Sequence, residues 1–160
     1  MDEMELLRYM VTIEGIIETN GWAVQGVFPT SSGDGPPFSY TVGLWKQFRH
    51  PELVITGLDP HQAQPLLNDI GTRVKGGTRF SPGARLDDVI AGRSGVAMPV
   101  MFIAVLEAHK DESLGVALRY YGSEPFEALQ VLWPDTKGVL PVEPGFEEKF
   151  RSAQPVWSEP

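Results

Sequence analysis

Near the start of the chain Leu6, Met10, Ile13 and Ile17 recur at four-three-four spacing, and Leu7 and Val11 widen that apolar stripe. Such spacing gathers side chains on one face of a helix. Asp2 is placed to accept from the first-turn amides while Glu5, three residues on, reaches back. Glu3 and Glu5 also lie where the positive end of a helix dipole favours acids. Asn20-Gly21 then supplies the stop.

The period next changes from helical to alternating. Trp22 to Phe28 and Phe38 to Leu44 are rich in aromatic and β-branched residues, and in the second run Phe38, Tyr40, Val42 and Leu44 alternate with Ser39, Thr41 and Gly43. Both read as strands. The tract between them, Pro29 to Pro37, is built of turn formers and reads as an exposed hairpin loop. Gly43 inside a strand marks a bulge or a close approach by a backbone or a ligand. A polar loop, Lys46 to Pro51, leads into Leu53 to Gly57, which reads as a buried strand.

A second helix has strong end signals. Asp59 caps it, Pro60 takes the first helical position and Gln62 completes another capping box. Ala63, Leu66, Leu67, Ile70 and Val74 form its buried stripe, and Gly76-Gly77 ends it. Arg85 to Ile90 is compatible with a strand or a helical turn, and Gly92 to Gly95 with a loop. Val100 to Leu106 is a continuous apolar run that predicts a central strand. Glu112 to Tyr121 predicts a short helix stopped by Gly122, and Leu129 to Trp133 a last strand ended by a turn at Pro134 to Gly138.

Strands in a run, with few helices to serve as parallel crossovers, argue for α+β with a mainly antiparallel sheet, flanked by two main helices and one short one. Closure into a small split barrel is the open alternative. Residues 1–160 read as a single domain, with 141–160 an irregular proline-rich tail held to the body by Phe146, Phe150 and Trp157.

Composition narrows the functional classes. Thirteen basic residues against 21 acidic ones leave a net charge of −8. That balance disfavours nucleic acid, whose phosphate backbone calls for clustered Lys and Arg. No apolar stretch approaches the roughly 18 residues of a membrane helix, and the start is acidic where a signal peptide is basic. The expectation is a cytoplasmic protein with no membrane partner. Cysteine is absent, which removes thiolate metal sites and disulfides.

The usual signatures of phosphate loops, zinc hydrolases and serine nucleophiles are missing. His61 reads as a surface residue. His50 is more informative, because it lies in Phe48-Arg49-His50-Pro51-Glu52 with a carboxylate two residues away. That pairing suits a general base, a ligand or a pH-sensitive hydrogen-bond donor. Tyr40, Thr41, Arg49, His50, Glu52 and Trp133 form the candidate ligand-binding set. Their expected setting is a hollow shared by two neighbouring strands, one carrying Thr41 and one following Pro51. Arg73, Lys75, Arg79 and Arg85 form the one basic region, suited to a phosphate or to the C-terminal end of the second helix.

Phe38-Ser39-Tyr40-Thr41-Val42-Gly43-Leu44, followed by His50-Pro51-Glu52-Leu53 and Gly57, resembles the bacterial family called domain of unknown function 4262. Leu66-Leu67-Asn68, Gln130-Val131-Leu132-Trp133-Pro134-Asp135, Gly138 and Gln154-Pro155 extend the resemblance over most of the chain. Val142 departs from the aromatic expected after Pro141. The resemblance implies no particular activity, catalytic residue or cofactor.

Three readings follow. The first is a ligand- or partner-binding accessory domain. The second, from topology alone, is an FMN-binding split-barrel-like oxidoreductase, with Thr41 and the basic region Arg73 to Arg85 on the cofactor phosphate. The third is a metal-dependent hydrolase using His50, Glu52 and His109. Cofactor, small-molecule or protein partner, and assembly as a homodimer stay open.

Overall fold

A computed structural model describes residues 2–28, 35–92 and 95–159. Part of the expected hairpin loop (29–34) and of the Gly92 to Gly95 loop (93–94) therefore lies outside the described residues. The elements are α1 (Glu3–Asn20), β1 (Ala23–Val27), β2 (Phe38–Val42), α2 (Leu44–Phe48), β3 (Glu52–Thr56), α3 (Pro60–Lys75), β4 (Arg85–Ala91), β5 (Ala97–Ala104), α4 (Glu107–Ser113), α5 (Gly115–Tyr121) and β6 (Ala128–Leu132). A 3₁₀ turn at Glu148–Phe150 follows. No helix among the described residues is long and apolar enough to cross a membrane.

The fold is α+β. Six strands form one sheet in the order β1-β2-β3-β6-β5-β4. Every neighbouring pair is antiparallel except the central β3 and β6, which run parallel with Glu52 beside Ala128 and Val54 beside Gln130. The sheet stays open, with β1 and β4 as its edges, and no barrel closes. β4 is a guarded edge: Asp87 and Asp88 are exposed on it, and its register shifts between Leu86 and Ile90. Both features discourage further strand pairing.

Alternation along β3 sends side chains to two cores. Leu53 and Ile55 meet Leu67, Ile70 and Val74 of α3 on one face, together with Val100, Phe102 and Val131. Val54 joins Tyr40 and Val42 under Ile13 and Ile17 of α1, Ala117 and Tyr121 of α5, and Trp157 of the tail on the other. The Asp2 and Asp59 caps read from sequence are in place, but among the described residues neither the Glu5 nor the Gln62 side chain reaches back to complete a capping box. The Asp2 carboxylate accepts from the Glu5 N–H at 2.8 Å, and Asp59 accepts from His61 N–H at 2.8 Å.

Three local expectations need correction. Leu44, read as the end of a strand, and the first part of the Lys46 to Pro51 loop instead form a helix, Leu44–Phe48, because its first amides find a buried carboxylate described below. The helix expected over 112–121 is two short helices; the fully buried Leu114 breaks the line between them at φ −97°, ψ 53°. The α1 stripe is narrower than its spacing suggests: Leu7 and Val11 are exposed, while Ile13 and Ile17 are buried.

Candidate functional site

The strands bearing Thr41 and Glu52 are neighbours, but their polar tips close on each other rather than on a hollow. Glu52 is fully buried. Its Oε1 accepts from the Thr41 hydroxyl at 2.8 Å and Leu44 N–H at 3.2 Å; its Oε2 accepts from Gly43 N–H at 2.9 Å, Trp45 N–H at 3.4 Å and the Tyr121 hydroxyl. These main-chain donors are the start of α2, where unpaired N–H groups carry partial positive charge. Gly43 makes the turn at φ +117°, and a Cβ there would stand 2.8 Å from Ile17 Cγ2. The close approach expected at this glycine is that of α1. Burial pushes the Glu52 carboxyl up, and the hydrogen bonds from Tyr121, Thr41, Gly43 and Trp45 pull it back. Burial, then the charge of Glu52, likewise raises the Tyr121 phenol.

His50 is also fully buried. Its Nδ1 faces the Pro51 carbonyl at 2.8 Å and its Nε2 accepts from the Phe80 N–H at 2.9 Å, an arrangement that selects the neutral Nδ1–H tautomer. Burial and the nearby Arg79 charge push its pKa down, against the pull of the Pro51 carbonyl. The sign for stability follows. Above about pH 6.5 both folded and unfolded states hold a neutral imidazole, and the contribution is whole. Below that, the unfolded chain takes the proton more readily, so stability falls until the lowered folded value is passed. His50→Gln retains an acceptor for Phe80 N–H and does not titrate. Melting temperatures at pH 7.5 and 5.5 should therefore differ less for His50→Gln than for the parent protein; equal differences would remove this account.

The other candidates are dispersed. Arg49 is exposed at φ +51°, lies over the Trp45 ring at 5.6 Å and pairs with Glu124 at 3.3 Å. Tyr40 is buried, accepts from Val116 N–H at 3.0 Å, and burial pushes its phenol up to about 12. It opens onto a groove of about 440 Å³ between α1, β1–β2 and α5, with Gln25, Glu112 and Arg119. Trp133 follows β6 at the opposite end of the sheet from Glu52, roughly 16 Å along the strand at 3.3 Å per residue.

Trp133 lines a concavity of about 320 Å³ between α3 and β4–β5. Leu58, Leu66, Val89, Ile90 and Met98 supply apolar walls, and the exposed Gln62 joins the lining. The ring is firmly held. Its Nε1–H donates to the Thr56 carbonyl at 2.6 Å, and its main-chain N–H and C=O are clamped by the Gln154 amide, both at 2.9 Å. Beneath it the Gln130 amide donates to Pro155 O at 2.8 Å and accepts from Trp157 N–H at 2.7 Å. Asp135 completes the tail's anchorage by accepting from Lys137, Val139 and Glu147 N–H groups. Burial works to raise its carboxyl, but the main-chain donors Val139, Glu147 and Lys137 outweigh it and hold the group low. Sequence reasoning did not single out Gln130, Gln154, Tyr121 or Phe80 as site-forming residues. The one available signal was that the two glutamines fall inside the blocks carrying the family resemblance.

The cofactor alternatives meet occupied side chains. Arg73 bonds Asp69 and Asp88, Lys75 bonds Asn20 O, Arg79 bonds Phe48 O and Arg49 O, and Arg85 bonds Glu143. The Thr41 hydroxyl is taken by Glu52. His109 stacks on Trp157 and faces Glu159 O at 2.7 Å, whereas the ring nitrogens of His50 meet Pro51 O and Phe80 N–H. Among the described residues no group of three His, Asp or Glu could hold a metal ion.

The family model described as Domain of unknown function (DUF4262) matches residues 16–147. No curated protein and no solved structure matches the chain.

Proposed function

The chain belongs to the DUF4262 family, and we propose that it is a binding module for a small, mainly apolar molecule seated against Trp133. The observation that carries this reading is the concavity between α3 and β4–β5, whose walls are apolar and whose indole floor is immobilised by Thr56 and Gln154. Its volume of about 320 Å³ lies at the small end of the range in which ligands are enclosed, roughly 300–1,000 Å³. Gln62 has no side-chain hydrogen bond among the described residues, so its amide is available to orient a polar atom. The reading assigns no bond-making step. The buried carboxylate and imidazole at the far end of the sheet hold the scaffold together instead.

Indole is a suitable probe, followed by methyl-resolved NMR. Shift changes should concentrate on Leu58, Leu66, Val89, Ile90 and Met98, and Trp133→Ala should weaken binding at least about tenfold, the equivalent of roughly 1.4 kcal/mol. Shifts clustered instead on Val27 and Val116 would move the site to the Tyr40 groove. Saturable binding unchanged in Trp133→Ala would dismiss the proposal.

A further inference from the structure

The outer face of α1 carries Met4, Leu7 and Val11, which are 60, 57 and 68 % exposed. Their three-then-four spacing is that of a helix-pairing seam, narrower than a core-facing stripe. The same spacing continues to Glu14 and Glu18, both exposed. Glu18 lies in the last turn of α1, which holds no basic residue, although the helix dipole favours cations there. Gly15, between Val11 and Glu18 on this face, has nothing within 4 Å of where a Cβ would stand. A glycine inside a helix is costly, and no contact among the described residues requires it. It leaves room for another backbone to approach.

We propose that this face docks a basic amphipathic helix of a partner protein. The partner's apolar positions would cover Met4, Leu7 and Val11, and its lysines or arginines would meet Glu14 and Glu18. Charge decides against a second copy of this chain. Parallel pairing sets Glu14 and Glu18 against their own counterparts; antiparallel pairing about Val11 brings Glu14 toward Arg8 but seats Glu18 over Met4, and either arrangement brings together two chains of net charge −8. A partner with cations at those positions turns both penalties into attraction. Arg8, on the flank of the stripe, is the one cation on α1 near it and should select against a further positive charge at that edge. This inference goes beyond the Trp133 concavity and is independent of it.

The test uses the whole chain and a synthetic 18-residue helix with leucines at three-four spacing and lysines placed to meet Glu14 and Glu18. A scrambled peptide of the same composition serves as control. Fluorescence anisotropy should show saturable binding of the patterned peptide, weakened at least about tenfold by Val11→Glu and by joint Glu14→Lys and Glu18→Lys replacement. Circular dichroism should report an unchanged fold, since all three side chains face solvent. Absence of binding, equal binding of the scrambled peptide, or affinity unmoved by Val11→Glu would each overturn the proposal. So would a concentration-dependent dimer in sedimentation that Val11→Glu dissolves, because the face would then belong to a second copy.

Discussion

Glu52→Gln should destabilise the protein by roughly 2–6 kcal/mol, because each buried donor left without an acceptor costs about 1–3 kcal/mol and at least two are stranded. The five donors around the carboxylate, from Thr41, Gly43, Leu44, Trp45 and Tyr121, all present hydrogens. An amide replaces one accepting oxygen with a nitrogen that also presents hydrogens, so at least two donors lose their acceptor in a site closed to water. The start of α2 should loosen first, because among the described residues the Gly43, Leu44 and Trp45 amides have no acceptor but Glu52, and the Tyr121 hydroxyl that accepts from Lys46 N–H is itself held by that carboxylate. Urea denaturation checks the magnitude, and hydrogen exchange at Gly43, Leu44 and Trp45 checks the place. A loss below about 1 kcal/mol, the size of a single ordinary hydrogen bond, would mean that Glu52 is not the organising group. The pH dependence has its own sign. Because burial raises the folded-state carboxyl above its usual value, Glu52's contribution is whole below the ordinary carboxylate range and declines as pH rises through the raised value. Glu52→Gln should lose that decline.

Gly57→Ala should cost about 2–4 kcal/mol, from left-handed backbone strain and overpacking together. Gly57 sits at φ +88°, and a Cβ there would stand 2.2 Å from the Ala153 carbonyl oxygen and 3.1 Å from the Trp133 ring. The colliding atom belongs to a backbone, so no rotamer change relieves it; the tail must move. Gln154, next in sequence, would then lose its hold on Trp133. The expected signature is therefore double: lower stability, and faster proteolysis within 148–158. Indole binding should weaken in the same variant, because the platform is no longer clamped. Full stability with an undisturbed tail would show that the chain can pass Gly57 by another route.

How much of this was legible from residues alone varies with the range of the interaction involved. The α1 and α3 caps, the β1, β2, β3 and β6 strands and the mainly antiparallel α+β class follow from periodicities and end signals spanning a few residues. α2 was not legible, because Leu44–Phe48 has no local helix signal; its start is stabilised by a carboxylate from the next strand and a phenol 69 residues further along. The same holds for His50. Its loop suggested chemistry, yet its Nε2 meets the Phe80 N–H, a partner 30 residues away that no spacing rule identifies. Arg73 to Arg85 illustrates the reverse error, since a run of cations in sequence separates in space to acceptors on different elements.

By itself, the order of residues determined the α1 and α3 helices with their ends, the β1, β2, β3 and β6 strands, and that neighbouring strands bring Thr41 beside Glu52. Those outcomes depend on backbone preference and on side-chain period, which are local. Only the tertiary structure decided that Glu52 and His50 are closed inside the protein and that Trp133 faces a separate concavity at the far end. It also decided that the sheet remains open between β1 and β4. Burial and pairing partners are properties of three-dimensional packing, set by which distant surfaces meet and exclude water, and a pattern of neighbours along the chain does not contain them.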